Sequence, residues 1–276
     1  MNGLLAFYEG GSSFLHGRNP TLKLVSLMIP MLAVTLAFDP WTPVVLFGLG
    51  LLALRVLGHV PLRQVARPLA LLFVLSALGL LGSNAFFYDP PSGTSLTVLW
   101  EGGPFRLTLE GLRVGFALTM RTMAIVTFSL IFVATTDPTD FVLSLIQHVR
   151  FPFRLGYGIL VAYRFLPLWR TELDVIRSAH RIRGVGERTS LKGRWEQLQR
   201  YAVPLLAGAI RKAERVSIAM DSKAFGALPG RTYYRRLNLT RVDWAMLAAS
   251  ALITLLMLLA LASAGLLVGY GVVPGD

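Results

Sequence analysis

The stretch "LKLVSLMIPMLAVTLAF" at residues 22–38 contains one charged side chain, Lys23, and ends directly before an Asp-Pro pair. An apolar helix of about 20 residues is long enough to cross a hydrocarbon core of about 30 Å. Four further apolar runs follow, at about residues 41–58, 67–88, 111–134 and 243–270. The sequence therefore predicts an all-α integral membrane protein with about five transmembrane helices.

The composition of the whole chain agrees with this class. Of its 276 residues, 54% are hydrophobic and 15% are charged, and the mean hydropathy is +0.59. A soluble globular domain carries about 25% charged residues. The chain has no cysteine, which excludes disulfides and thiolate chemistry.

The basic residues are unevenly distributed and give the orientation. Nineteen of the 27 Lys and Arg residues lie between Arg150 and Arg241, together with only six acidic residues. Lys and Arg accumulate in cytoplasmic loops. With a cytoplasmic N-terminus, the inner segments hold Arg18, Lys23, Arg55, Arg63, Arg67 and the basic block, and the outer ones hold Asp39, Asp89, Glu101, Arg106, Glu110 and Asp276. This alternation predicts four spans before the basic block.

The basic block itself is predicted to form about three amphipathic helices. A helix begins at Asp137-Pro138, because Asp can cap and Pro suits the first turn. In 154–183 and 195–220, apolar residues recur at steps of three and four while the opposite face is basic. Such helices are too charged to cross a bilayer. We therefore predict transmembrane helices in 1–135, a cytoplasmic coupling platform in 136–241 and the last span in 242–276.

Two similar patches lie at the ends of these helices: "SAHRIRGVGERT" at 178–189 and "AMDSKAFGALPGR" at 219–231. Each combines small residues with cations at a helix C-terminus, where the helix dipole favours a positive charge by about 0.3–1 kcal/mol. One interpretation is that they are ordinary helix C-caps, in which Gly and basic residues are common. The other is that they are docking tips whose cation enters an acidic cleft. Their repetition on consecutive amphipathic helices favours docking.

On these features the chain resembles a family, the transmembrane T component of energy-coupling factor (ECF) transporters, the CbiQ/EcfT/BioN group. The resemblance covers "SSFLHGRNPTLKL", "TTDPTDF", "YRFLP" at 163–167 and a pair of Ala-Arg-Gly-type motifs. The first motif matches at Ile182-Arg183-Gly184 and the second at Ser222-Lys223-Ala224. The implied docking residues are, in the first patch, Arg181, Ile182, Arg183 and Gly184, and in the second, Asp221, Ser222, Lys223, Ala224 and Gly226.

The resemblance implies a scaffold of an ABC-type importer for vitamins or transition-metal ions in a bacterial or archaeal cell membrane. Its expected partners are two cytoplasmic ABC ATPases and a small membrane substrate-binding (S) subunit. ATP and magnesium would bind to the ATPases, and no cofactor is expected on this chain. That agrees with the absence of a G-x-x-x-x-G-K-[ST] loop. The chain is accordingly expected to be non-catalytic and to bind no nucleic acid.

Two departures from the family pattern bear on docking. Lys223 stands where the family has Arg, and Lys lacks the planar fork that binds a carboxylate bidentately. Ile182 replaces Ala and makes the first tip bulkier. We expect a weaker contact at the second tip, assisted by Arg215 or Arg231. The two ATPases would form a homodimer or a heterodimer, and either departure is compatible with a heterodimer whose grooves are unequal.

Three other residues are expected to tie helices together. An ionised Arg at mid-span costs about 2.5–3.5 kcal/mol on insertion scales, so Arg121 should face protein. It would bond a backbone carbonyl or an acid such as Asp137 or Asp140, or contact the substrate subunit. The resemblance makes Arg164, with Pro167, a tie between membrane and platform at the beginning of the first amphipathic helix.

Other functions fit the sequence less well. A conventional ABC permease with its own substrate path would carry an E-A-A-x-x-x-G loop, which the sequence lacks. A membrane enzyme or lipid-binding protein would use the basic block on anionic headgroups, but no catalytic polar cluster is found in the spans. The four histidines, at 16, 59, 148 and 180, have no partners at metal-ligand spacing, so no metal site is expected.

Overall fold

The computed structural model describes residues 13–37, 39–87, 97–102, 105–184, 190–227 and 232–266, and this part of the chain is mostly helical. Its helices are α1 Pro20–Leu36, α2 Trp41–Val56, α3 Leu62–Ser76, α4 Gly82–Phe87, α5 Leu109–Thr135, α6 Pro138–His148, α7 Phe153–Ile182, α8 Leu191–Ser222 and α9 Arg241–Ser263. A π-helical turn, Ala77–Leu81, joins α3 to α4, and an antiparallel hairpin, β1 Val98–Gly102 with β2 Phe105–Thr108, precedes α5.

The chain forms two compact units. The first extends to Ser144 and resumes at Leu237, and the second, the coupling unit, comprises Leu145–Arg236. The first therefore contains α1 to α5 and α9, and the coupling unit contains α7 and α8. The boundary, between Ser144 and Leu145, falls inside α6, nine residues beyond the one predicted at 135/136.

Three helices are long and apolar enough to cross a membrane: Val65–Phe87, Leu109–Thr135 and Arg241–Ser263. The protein is therefore an integral membrane protein, as the sequence predicts. Helices α1 and α2 lie at the first two predicted spans but have 17 and 16 residues. At 1.5 Å per residue each is about 25 Å long, shorter than a straight crossing of the hydrocarbon core, so the count of five spans stays a prediction.

Helix α5 lies at the centre of the first unit, in contact with α1, α2, α3 and α4. Its apolar face is buried at Ala124, Phe128 and Ile131 against residues of α1, α2 and α3. Gly115 lets the π-helical turn approach closely, because a Cβ there would lie 2.6 Å from Leu81 Cα. Small residues permit such backbone contacts between membrane helices.

A buried lysine closes the opposite end of α5. Lys23 in α1 is 1% exposed. Its Nζ donates to the Thr135 carbonyl at 3.0 Å, to Thr136 Oγ1 at 3.2 Å and to Thr135 Oγ1 at 3.4 Å. An ammonium carries three donors, and these contacts tie the first turn of α1 to the point where α5 ends.

We predict that Lys23→Met destabilises the protein. The substitution keeps most of the side-chain volume but leaves buried oxygens of Thr135 and Thr136 without their donor, which costs about 1–3 kcal/mol. Thermal unfolding of the full chain in detergent would show a lower midpoint. Lys192→Met, at an exposed position of α8, is the control and should leave the midpoint unchanged. An unchanged midpoint for Lys23→Met would show that these hydrogen bonds make no net contribution to the free energy of unfolding.

Candidate coupling site

Helices α7 and α8 of the coupling unit run antiparallel, as three contacts along their length show. The rings of His180 and Tyr201 are 5.5 Å apart, near the end of α7. In the middle, Lys212 of α8 forms an ion pair with Glu172 of α7. At the other end, the rings of Phe225 and Phe153 are 5.6 Å apart. The C-termini of α7 and α8 therefore lie at opposite ends of the pair.

The first tip, residues 181–184, is a helix C-cap. Arg183 occupies the cap position, and its backbone N–H donates to the Ala179 carbonyl. The Gly184 N–H donates to the Arg181 carbonyl at 3.1 Å, and Gly184 has φ +76°. This left-handed residue after the cap is the one for which Gly is favoured. Ile182 is 87% exposed, so the Ile that replaces Ala projects an apolar side chain from the tip.

The second tip, residues 221–226, repeats this geometry with different residues. Lys223 occupies the cap position and Ala224 has φ +55°. The N–H groups of Ala224 and Phe225 donate to the carbonyls of Asp221 and Met220, at 2.9 and 3.0 Å. These two bonds are those of a Schellman motif. The position that takes Gly in the first tip therefore takes a strained Ala in the second.

The second tip is also braced against the beginning of α7. Phe225 packs edge-on against both Phe153 and Tyr157, with ring centroids 5.6 Å away in each case. Gly226, at φ +83°, lies so close that a Cβ would meet the Phe153 ring at 3.3 Å. The chain after Lys223 thus turns back onto α7. The cap residue itself lies at the end of the helix pair.

Both tips present their cations to solvent. Arg183, Lys223 and the neighbouring Ser222 and Asp221 are exposed. Within the described part of the chain, the Arg183 and Lys223 side chains form no hydrogen bond or ion pair. The two interpretations of the sequence are therefore compatible, because each tip is a C-cap whose cation points outward. Arg215 and Arg231 were expected to assist Lys223 in docking. Arg215 is exposed on α8, and Arg231 lies outside the described residues.

Comparison with known proteins shows the family to which this chain belongs. The model of the family described as "CbiQ: Cobalt transport protein" matches residues 11–234. The chain belongs to this family. It is 30% identical over 256 residues to the energy-coupling factor transporter transmembrane protein EcfT of Limosilactobacillus fermentum, with 90% of this chain and 93% of the relative covered. It is 28% identical over 244 residues to EcfT of Streptococcus thermophilus, with 85% and 89% covered.

The CbiQ-family match includes both tips and the whole of α5, where Arg121 lies. Arg121 Nη2 donates to the Ala37 carbonyl at the end of α1, and the Asp39 carboxylate attracts the guanidinium. Asp39 is fully buried and caps α2 through Thr42, whose N–H and hydroxyl donate to it at 2.6 and 2.9 Å. Arg121 thus fixes the corner between the two short helices onto the middle of α5.

Arg164 and Pro167 lie within α7, not at its beginning, since α7 starts at Phe153. Both are exposed, and the Arg164 side chain forms no hydrogen bond or ion pair with another described residue. Its role as a tie between membrane and platform stays a prediction. Among the described residues, no group of three or more His, Asp or Glu side chains is placed to hold a metal ion.

Sequence reasoning missed the buried polar residues at the beginning of α1 and α9. Asp243 is 1% exposed and closes a capping box with Thr240 at the beginning of α9. The Asn19 N–H donates to Asp243 Oδ1 at 3.2 Å. A signal was present: Lys23 is the one charge of α1, and Asp243 is the one acidic residue of α9. Counting charges for the orientation assigned Lys23 to the cytoplasmic side without asking what it contacts.

We predict that both caps favour Gly over Ala at their left-handed position. Ala224→Gly should stabilise the coupling unit by about 0.5–1 kcal/mol, because the strain of a left-handed Ala exceeds the entropy of the added Gly. Gly184→Ala should destabilise it by a similar amount, although a Cβ there would meet nothing within 4 Å. The measurement is the thermal unfolding midpoint in detergent.

Gly158→Ala is the matched control for backbone strain. Gly158 lies inside α7 with nothing within 4 Å of its ideal Cβ, so Ala should stabilise the helix there by about 0.5–1 kcal/mol. If Gly184→Ala and Gly158→Ala changed the midpoint in the same direction, the left-handed cap would be refuted.

Proposed function

We propose that this chain is the coupling (T) subunit of an ECF-type ABC importer, which transmits ATP-driven motion from two cytoplasmic ATPases to a membrane S subunit. The family match and the named relatives support its place in such a transporter. The observation that carries the coupling role is the pair of solvent-facing cationic caps at opposite ends of α7 and α8. The chain itself would be non-catalytic and cofactor-free, with ATP and magnesium on the ATPases.

The spacing of the tips suits two ATPases. Helix α7 has 30 residues and is therefore about 45 Å long. Since the second tip packs at the beginning of α7 and the first tip ends it, the two cations are separated by about that length. One ATPase can then receive each tip without competing for the same surface. Each cation would pair with carboxylates in an acidic groove, where a charge-assisted hydrogen bond is strongest.

The S subunit has a candidate surface on the same helices. A groove of about 660 Å³ between α7 and α8 is lined mainly by apolar side chains, among them Val161, Phe165, Trp169, Ile210, Val216 and Met220. Large apolar residues of both helices are exposed beside it, for instance Leu166 at 44% and Ile210 at 67%. Exposed apolar surface of this kind marks a contact with another protein or with lipid. A hydrophobic membrane subunit of the importer would cover it.

The charge distribution supports the orientation that we propose. The coupling unit contains most of the Lys and Arg residues, so it would lie in the cytoplasm of a bacterial or archaeal cell, where positive loops are retained. The N-terminus would lie on the same side. The vitamin or transition-metal ion would be selected by the S subunit.

Charge reversal at the tips tests the proposal. Arg183→Glu should reduce the amount of ABC ATPase that co-purifies with the tagged chain by about tenfold, because it removes the docking cation and repels an acidic groove. Lys223→Glu should reduce it less, since Asp221 already offsets Lys223. Quantitative mass spectrometry of complexes isolated in mild detergent measures both.

Arg211→Glu changes the charge by the same amount at an exposed position of α8, next to the Glu172–Lys212 ion pair and away from both tips, and serves as the control. It should leave co-purification unchanged. Equal recovery of ATPase with Arg183→Glu, Lys223→Glu and Arg211→Glu would show that the tips are caps and not docking sites.

A further inference from the structure

Both segments that link the first unit to the coupling unit meet the first unit at one group of polar residues, most of which are buried. We call this group the polar joint: Asn19, Thr21, Lys23, Thr135, Thr136, Ser144, Thr240 and Asp243. All eight belong to the first unit. One linking segment leaves through α6 at Ser144, and the other returns at Leu237, shortly before α9 begins. The joint therefore lies where any motion of the coupling unit would enter the first unit.

Three side chains of α1 and its cap hold the outgoing segment. Lys23 binds the end of α5 at Thr135 and Thr136, as described above. Farther along, Ser144 of α6 is fully buried, and its hydroxyl lies 2.6 Å from Thr21 Oγ1 and donates to Asn19 Oδ1 at 2.8 Å. The bend between α5 and α6 is thus fixed on both sides by the beginning of α1.

The returning segment is held by the same part of α1. Asp243 accepts hydrogen bonds from the Asn19 N–H at 3.2 Å and from the N–H and hydroxyl of Thr240, both at 2.8 Å. Arg18 Nη1 lies 3.9 Å from Asp243 Oδ1 and adds a weaker charge contact. Asn19 is therefore shared, because its backbone binds α9 while its side chain binds α6 and caps α1 through the Thr21 N–H.

We infer that the polar joint stays fixed while the transporter works, and that Lys23, Asn19 and Asp243 are positioning residues for coupling. This inference rests on the proposed function. Bending at the joint would separate buried donors from buried acceptors, and groups left unpaired in a low-dielectric interior are costly. Since these bonds hold both linking segments on the beginning of α1, motion that arrives through either segment would reach α1 and α9 together.

The absence of cysteine permits a direct test with a reversible lock. In the double variant Thr21→Cys/Ser144→Cys, two thiols replace hydroxyls whose oxygens are 2.6 Å apart, a separation that a disulfide can bridge. Lys23, Asn19 and Asp243 are kept, so the reduced form serves as its own reference. The complex is purified through this chain, and ATP hydrolysis is measured as phosphate release before oxidation, after oxidation and after dithiothreitol.

A second lock shows that the assay responds to restricted motion. Glu172→Cys/Lys212→Cys replaces the ion pair between α7 and α8 and is bridged by a short bifunctional methanethiosulfonate. That lock should slow hydrolysis about fivefold or more, because α7 and α8 would no longer move with the ATPases. Each single-cysteine variant receives the same reagents and corrects for their effect on the partner subunits.

The inference predicts that the Thr21–Ser144 disulfide forms readily and leaves hydrolysis within about twofold of the reduced complex. It is overturned if oxidation slows hydrolysis about fivefold and dithiothreitol restores it, since the joint would then have to open. It is also overturned if the disulfide does not form in the full-length chain. Loss of the ATPases from the reduced complex would instead contradict the proposed function, while disulfide formation would still report on the joint.

Discussion

The enclosed ammonium of Lys23 is the constraint on which the first unit depends. A charge removed from water needs a partner for each donor, and here the partners come from the end of α5. The neighbouring Asp243 carboxylate is satisfied in the same way by backbone and hydroxyl donors of α1 and α9. Helices that are far apart in sequence must therefore assemble together, because none of them can satisfy its buried polar group alone.

A different constraint governs the coupling unit, whose helices are too basic for the hydrocarbon core and too apolar for water. The ring contacts at their two ends and the Glu172–Lys212 pair between them fix the antiparallel register. They leave large apolar side chains such as Trp169, Ile210 and Trp195 substantially exposed. Two long helices that cover each other so incompletely leave apolar surface that the partner subunits of the proposed importer would cover.

The helices were largely predictable because periodicity and caps are local properties. The apolar steps in 154–183 and 195–220 correspond to α7 and α8, and Asp137-Pro138 correctly predicts where α6 begins. The polar joint was not predictable, since Lys23 meets Thr135 only through a contact across 112 residues. The hydrogen bond from Arg121 to the Ala37 carbonyl joins residues 84 positions apart. The sequence therefore indicated that Arg121 needs a partner but could not identify which residue it is.

The two tips have similar backbone conformations but different side chains, which under the proposed function would limit how alike the two ATPase grooves can be. In the first, Gly184 takes the left-handed conformation without strain, and Arg181 stands beside Arg183. In the second, Ala224 takes the same conformation at a cost, and Asp221 stands beside Lys223. Both caps share a left-handed residue after the cap position, whose N–H donates to the carbonyl three residues before it, so this feature of the backbone would not distinguish them to a partner. The two tips differ in net charge, and Arg and Lys differ in the geometry of their donors. Two identical acidic grooves would therefore bind the first tip more tightly.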